Sequence, residues 1–358
     1  RPNHTPYDWG LAHGEEFKKG IKELAEIRKD LMLQKNPQLG DSKKELENLA
    51  HTQWEVSKNF SPMLSREIEG MADGSGCSLT DLVILNNYTD FRDIQLPEEG
   101  CTTAHLQRNQ QSLSGQTWDM HGSAKNYLCL IQTPEFENYP SSLVLSLVGC
   151  TGLMGITRRG TLVGVNNINT ANAEAGLIWP ILVRELLAGK DLNEMRDILL
   201  SAPVTSGHNY ILSDKFGGEH WEITPSHKER VAQAQAGEVA EAFHTNHCLG
   251  EKIKPLEQQK SQSSTTYERY DLAKKKLSGI ESLDQLYSLF TDHENYPRSI
   301  CGHFSINAQD PSMTCGGGIS ELSSPAQETV FWRGCPEYDD DYKEHRFKLE
   351  HGHWKHVS

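Results

Sequence analysis

No apolar run in this chain approaches the roughly 18–20 residues that span a bilayer. Basic residues are in deficit: lysine and arginine total 35 against 49 aspartates and glutamates, for a formal net charge of −14. Nucleic acids and anionic membranes both select basic surfaces, so neither is expected as a partner. The eight cysteines (Cys77, Cys101, Cys129, Cys150, Cys248, Cys301, Cys315 and Cys335) form no CxxC pair. Thinly spread over so long a chain, they do not read as a disulfide framework, and the default for most is a small buried hydrophobe. The chain shows no internal repeat and no low-complexity segment. Gly316, Gly317 and Gly318 are not followed by the GK[ST] of a phosphate loop.

What is present is ordinary for a soluble folded protein. Of 358 residues, 36% are hydrophobic and 23% charged, enough for one large domain or two smaller ones. Glycosylation sequons at Asn3, Asn59 and Asn87 fit chance occurrence. A cytoplasmic location is the expectation; secreted or periplasmic locations stay open because the chain begins at Arg1.

The first hundred residues are patterned for helices. Phe17, Ile21, Leu24, Ile27 and Leu31 recur at three- and four-residue steps, the apolar stripe of an amphipathic helix, ended by Asn36, Pro37 and Gly40. A second helical span covers Ser42–Glu69, with Pro62 either kinking or dividing it. Gly74, Ser75 and Gly76 predict a turn, and Ser78 an N-cap with Asp81 in the first turn. The texture changes at Gly100. Strands are predicted over residues 102–106, 112–118, 127–132, 142–147 and 161–165. A helical stretch follows over 178–200, then strands over 210–212, 220–223 and 239–244. Residues 258–275 read as a solvated helix or loop, 283–290 as a helix, 330–333 as a strand, and the histidine-rich end (His351, His353, His356) as a solvated tail. Helices, then strands, then helices, then strands make an α+β protein of layered sheets.

The chemistry centres on Glu98-Glu99-Gly100-Cys101-Thr102-Thr103-Ala104. Two readings are open. Cys101 is either a buried cysteine after a turn or a nucleophile revealed by cleavage after Gly100. In the second, the unobstructed glycine lets the thiol attack the preceding carbonyl. Hydrolysis of the thioester then frees an α-amine on Cys101. With a reference pKa near 8, that amine acts as base for its own thiol.

Gly100-Cys101-Thr102-Thr103-Ala104, followed by Gly115-Gln116-Thr117-Trp118-Asp119, resembles the start of the mature large subunit in the isopenicillin N acyltransferase family. Three further blocks match in order and spacing: Gly10-Leu11-Ala12-His13-Gly14, His244-Thr245-Asn246-His247-Cys248-Leu249, and Glu294-Asn295-Tyr296-Pro297 with Ser299-Ile300-Cys301. The resemblance implies the four-layer αββα sandwich of N-terminal-nucleophile (Ntn) hydrolases. It implies one domain over 1–358, self-cleaved into a small segment (1–100) and a large one (101–358) that stay associated, with a homo-oligomer left open. It makes Gly100–Cys101 the cleavage site and Cys101 the nucleophile. Asp119 becomes the carboxylate near the new N-terminus, Asn246 an amide donor to the oxyanion, and Thr103 a hydroxyl beside the nucleophile. The alternatives are a turn carboxylate, a loop-bonding asparagine and a packing threonine. His121, His208, Asn209 and Arg298 are candidates for the substrate pocket. The family's Ser-Arg pair before a late glycine-rich strand is absent, Thr314 and Cys315 standing there; Arg298 is the candidate replacement for the missing base.

The activity expected is hydrolysis of a small N-acylated amine or amino acid through a thioester on Cys101. The alternatives are acyl transfer to an amine, a non-catalytic binding protein on the same fold, and a Cys-His protease. No cofactor is expected. His244, His247 and Cys248 are zinc-type ligands, but no second cluster has matching spacing, so no metal is expected either.

Overall fold

A computed structural model of the chain describes residues 5–35, 43–89, 100–260, 264–303 and 312–357. The helix stop at Asn36, Pro37 and Gly40, the helix start at Ser42 and the acidic pair Glu98-Glu99 lie outside the described residues.

The N-terminal helices are α1 (Pro6–Glu16), α2 (Lys18–Lys35), α3 (Lys43–Phe60), α4 (Pro62–Ser75) and α5 (Leu79–Asn86). Ser61 caps α4 by accepting from the Leu64 amide, and Pro62 opens the helix, where its missing N–H costs nothing. Pro62 therefore divides the second helical span. Helix α4 runs through Gly74 and Ser75 and stops at Gly76, whose φ of 67° is left-handed and favours glycine. Ser78 caps α5 by accepting from the Asp81 amide at 3.1 Å. The Gly10-to-Gly14 block faces Gly70 and Gly74 of α4 at backbone contact. A Cβ on Gly10 would stand 1.8 Å from the Glu67 carbonyl oxygen, and one on Gly70 2.1 Å from that of Tyr7. These glycines are what let the two helices touch.

From residue 103 the chain builds two antiparallel seven-stranded sheets. The first contains β1 (Thr103–Arg108), β2 (Gln111–His121), β10 (Val239–His244), β11 (Ser312–Glu321), β12 (Thr329–Arg333), β13 (Lys343–Glu350) and β14 (His353–His356), in the order β10-β1-β2-β11-β12-β13-β14. The second runs in sequence order through β3 (Leu128–Thr133), β4 (Ser142–Leu147), β5 (Met154–Thr157), β6 (Leu162–Asn167), β7 (His208–Asp214), β8 (Gly217–Ile223) and β9 (Lys228–Gln235). Helices α6 (Trp179–Leu186) and α7 (Leu192–Ser201) divide the stretch read as one helix; Asp191 caps α7 by accepting from the amides of Asn193 and Glu194.

Side-chain direction alternates along a strand, and it sets the layers here. Even-numbered residues of β2 cross to the second sheet: Ser114 meets Ser213 at 2.9 Å, and Gln116 Oε1 accepts from the Val165 amide at 2.6 Å. Leu106, Leu113, Ile319 and Trp332 point the other way, into a cluster with Leu272 of α8 (Thr266–Lys276) and Leu286 and Phe290 of α9 (Leu283–Phe290). On the far face of the second sheet, Val144, Val163, Tyr210 and Leu212 pack with Ile21, Leu64, Ile68 and Leu182. The result is helix, sheet, sheet, helix: the four-layer αββα arrangement. Among the described residues no helix is long and apolar enough to cross a membrane.

The histidine-rich end is not a solvated tail. His353 and His356 lie in β14, paired with β13, and Trp354 between them is buried.

Candidate active site

Cys101 lies two residues before β1, which runs between β10 and β2 near one edge of the first sheet. Thr103 is paired with Gln116 on one side and His244 on the other. In antiparallel strands, two residues back from Thr103 lie level with residues two further on in each partner. This register carries Cys101 to the height of Trp118–Asp119 and of Asn246. Segments more than a hundred residues apart thus meet at one strand end.

Cys101 is buried, and its polar atoms are held from several sides. Its backbone N–H donates to Asn246 Oδ1 at 2.8 Å. Its carbonyl oxygen accepts from Asn166 Nδ2 at 2.9 Å and from Arg269 Nη1 at 2.8 Å. The Asp119 amide points at Sγ from 3.5 Å. Arg269 Nη2 donates to the same Asn246 Oδ1 at 2.8 Å, so one side-chain oxygen receives both the Cys101 amide and a guanidinium. Asn246 Nδ2 donates to the Asn167 carbonyl oxygen at 2.9 Å. The oxygen of this amide, rather than its NH2, is what faces the Cys101 nitrogen. One of the two Nδ2 hydrogens is directed to Asn167.

Gly100 fits between opposite charges. A Cβ added there would be 2.8 Å from Asp119 Oδ2 and 2.9 Å from Arg269 Nη2. Burial pushes the Asp119 carboxyl up to about 6, against the lowering effects of the Arg269 charge and of hydrogen bonds from Thr314, Thr117 and Cys101. The carboxyl thus titrates near neutrality, where a group that exchanges or balances a proton is useful.

Thr103 is buried and donates to Asn166 Oδ1 at 2.7 Å; Asn209 Nδ2 reaches the same oxygen at 2.7 Å. Both therefore act on Cys101 through Asn166. His121 ends β2, its Nδ1 2.8 Å from Ser123 Oγ and its ring edge-on to Tyr88. His208 packs by Trp179 and Tyr210, and burial lowers its pKa to about 4. Arg298 is not brought to Cys101: its side chain is 45% exposed and paired with Glu268 at the surface. The buried guanidinium of the site is Arg269 instead. A cavity of about 600 Å³ lined by Asp8, Trp9, Ile131 and Arg158 shares no residue with this cluster.

The histidines around Asn246 serve as scaffold. His244 Nε2 lies 2.8 Å from Glu222 Oε1 and Nδ1 2.6 Å from the Thr245 carbonyl oxygen. His247 Nδ1 faces the hydroxyls of Thr245 and Thr266, and the Cys248 amide donates to Glu257. The group with metal-ligand geometry among the described residues lies elsewhere, at His293, Cys301, His303 and Cys335. The expectation of no metal therefore meets a cluster that spacing does not display.

Sequence reasoning missed Arg269 and Asn166. Arg269 stands in a polar stretch whose pattern is that of a solvated helix, and nothing local distinguishes it. Asn166 had a signal: two consecutive asparagines end an apolar strand, where asparagine is disfavoured.

Residues 106–315 match the family model described as acyl-coenzyme A:6-aminopenicillanic acid acyl-transferase. The match begins just after Cys101 and includes Asp119, Asn166, Asn246 and Arg269. Among curated proteins, the 40 kDa form of acyl-coenzyme A:6-aminopenicillanic-acid-acyltransferase from Emericella nidulans is 25% identical over 304 residues, covering 83% of this chain and 82% of that protein. Solved structures overlap more loosely. An N-acylethanolamine-hydrolyzing acid amidase ortholog from Caenorhabditis elegans gives a TM-score of 0.42 at 13% identity, over 63% of this chain and 94% of that one. A conjugated bile acid hydrolase from Clostridium perfringens gives 0.39 at 11%, over 72% and 96%. The family match, spanning more than half the chain, decides the relationship: the chain belongs to the acyl-coenzyme A:6-aminopenicillanic acid acyl-transferase family.

Proposed function

We propose that this protein cleaves itself between Gly100 and Cys101 and then hydrolyses the amide of a small N-acylated amine or amino acid through a thioester on Cys101. Membership of the family makes it an amide-bond hydrolase or acyltransferase. The observation that carries the finer reading is the Cys101 amide nitrogen, held at 2.8 Å by Asn246 Oδ1 while Gly100 lies against the Asp119 carboxylate and the Arg269 guanidinium.

In self-cleavage, Sγ adds to the Gly100 carbonyl carbon and the carbonyl oxygen takes the negative charge. Collapse breaks the Gly100 C–N bond, leaving the acyl group on Sγ and, after proton transfer, a free amine on Cys101. Water then hydrolyses the thioester, releasing the Gly100 carboxylate and the thiol. Asn246 Oδ1 is placed to accept from the new amine as it does from the amide. Asp119 balances positive charge there when the amine is protonated. Arg269 and Asn166 hold the Cys101 carbonyl, fixing the nucleophile's backbone without touching its sulfur.

In turnover the neutral amine takes the thiol proton, and the thiolate attacks the substrate carbonyl. The resulting ammonium protonates the departing amine, and water completes the cycle. A second amine intercepting the thioester would give transfer. Hydrolysis and transfer share every step up to the thioester and are separated by the acceptor.

The experiment is acid-quenched mass spectrometry of the processed protein with a panel of N-acyl amino acids and amines. An acyl adduct on the 101–358 fragment, absent in Cys101→Ser, supports the reading, and the product ratio with added amine separates hydrolysis from transfer. Turnover with no adduct and with normal rates in Cys101→Ser would sink it.

A further inference from the structure

Next to the cysteine site, two histidines and two cysteines converge from three parts of the chain. His293 follows α9, Cys301 and His303 lie eight and ten residues later on the approach to β11, and Cys335 sits in the turn after β12. Their ligand atoms all lie within 4.8 Å of one another. His293 Nε2 is 2.9 Å from His303 Nε2 and 3.4 Å from Cys335 Sγ, and Cys301 Sγ is 3.7 Å from His303 Nε2. Around a tetrahedral zinc, with bonds of about 2.0–2.3 Å, neighbouring donors stand about 3.3–3.8 Å apart. The two nitrogen–sulfur distances fall within that range, and the nitrogen pair is closer.

The surroundings are those of a ligand set. His293 Nδ1 lies 3.0 Å from Glu337 Oε2, which holds the proton on Nδ1 and turns the Nε2 lone pair inward; carboxylates do this for metal-bound histidines. The Glu337 amide points at Cys335 Sγ from 3.4 Å. The His293 and His303 rings are stacked at 22°, with Tyr338 edge-on to both. Cys301 and Cys335 are buried.

We infer that His293, Cys301, His303 and Cys335 form a tetrahedral Cys2His2 site for zinc or a similar thiophilic divalent ion. Four protein ligands fill the coordination sphere, so the ion is structural and leaves no position for substrate. Binding displaces the thiol protons of Cys301 and Cys335 to solvent and ties the segment after α9 to the β12–β13 turn. That segment continues into the active site: the Gly302 amide donates to Thr314 Oγ1 at 2.8 Å, and Thr314 pairs with Asp119 across β11 and β2.

The test is zinc uptake by the full-length protein, stripped with a chelator and fully reduced, in competition with a chromophoric chelator. We expect one zinc per chain, a raised melting temperature, and tetrahedral cobalt-thiolate absorption when cobalt replaces zinc. Cys335→Ser and His293→Ala should abolish the cobalt-thiolate spectrum or weaken uptake beyond measurement. Glu337→Gln, which keeps all four ligands, should weaken zinc binding by about 10- to 100-fold. No uptake by the reduced wild type, or uptake undiminished in both ligand variants and in Glu337→Gln, would overturn the site. In the first case a Cys301–Cys335 disulfide, seen as a mass lower by two hydrogens before reduction, would account for the convergence. None of these outcomes depends on self-cleavage or on the amide chemistry.

Discussion

Arg269 Nη1 donates to the carbonyl oxygen of Cys101 at 2.8 Å, so a buried cation on a helix fixes the backbone of the residue proposed as nucleophile. The same guanidinium opposes the burial that raises the Asp119 carboxyl to about 6. Below that pH Asp119 is neutral, and above it charged. Self-cleavage should therefore accelerate as pH rises through about 6, and Asp119→Asn should remove that midpoint. Arg269→Gln removes the charge that lowers the Asp119 pKa, so its midpoint should move upward. The lost charge-assisted bonds, worth about 1.5–3 kcal/mol each, should slow cleavage by about ten- to a hundredfold. Cleavage time courses on gels across pH 5–8 check both; a midpoint unchanged in Arg269→Gln would contradict the coupling.

Gly100→Ala puts a methyl group 2.8 Å from Asp119 Oδ2 and 2.9 Å from Arg269 Nη2. Both side chains are buried, and Arg269 is fixed by hydrogen bonds to Cys101, Thr102 and Asn246, so neither has room to retreat. Self-cleavage should slow by about a hundredfold, the scale of a misplacement near 1 Å. Melting temperature should change little, because only the cleavage segment is displaced. Wild-type cleavage in this variant would show that the scissile peptide lies elsewhere.

Strands β1, β2, β10 and β12 of the first sheet were legible because their signals are local, and the Gly100-Cys101 pair stood out for the same reason. Gly100-Cys101 is contiguous, and β1, β2 and β10 carry apolar alternation. Strand β9 was not, since Lys228–Gln235 is polar and mostly part-exposed at a sheet edge; nor was β11, where Gly316–Gly318 removes the side chains that mark a strand. Pro62 read correctly as a break but not as a helix start, which depends on the Ser61 cap. Asp119 and Asn246 were named from resemblance, and their meeting at Cys101 follows from strand register, a long-range fact. Arg269 and the Cys2His2 cluster are assembled by tertiary structure, and no spacing announces them.

The contact between α1 and α4 gives a stability prediction. A Cβ on Gly10 meets the Glu67 carbonyl oxygen at 1.8 Å, and backbone cannot yield as a flexible side chain can. Gly10→Ala should destabilise by about 1–3 kcal/mol or more, read as a lowered denaturation midpoint. An unchanged midpoint would mean that the two helices are not in backbone contact.

Acid should weaken the fold through its buried histidines. Burial holds the rings of His105, His208 and His247, and of the part-buried His13, down at about 4, whereas unfolded histidine titrates near 6.5. Between those values the unfolded chain binds more protons, so stability is complete above about 6.5 and falls as pH drops towards 4. Asp119, raised rather than lowered, works in the opposite sense over about 3.8 to 6 and offsets part of the loss. Denaturation midpoints measured from pH 7.5 to 4 should decline; a flat profile would mean that these rings are hydrated and unshifted.

Self-processing is read directly from intact mass under denaturing conditions, for wild type beside Cys101→Ala. Wild type should give two pieces divided between Gly100 and Cys101, their masses summing to the chain plus one water, and the variant a single uncut chain. An uncut chain in both, or the same cut in Cys101→Ala, would contradict it.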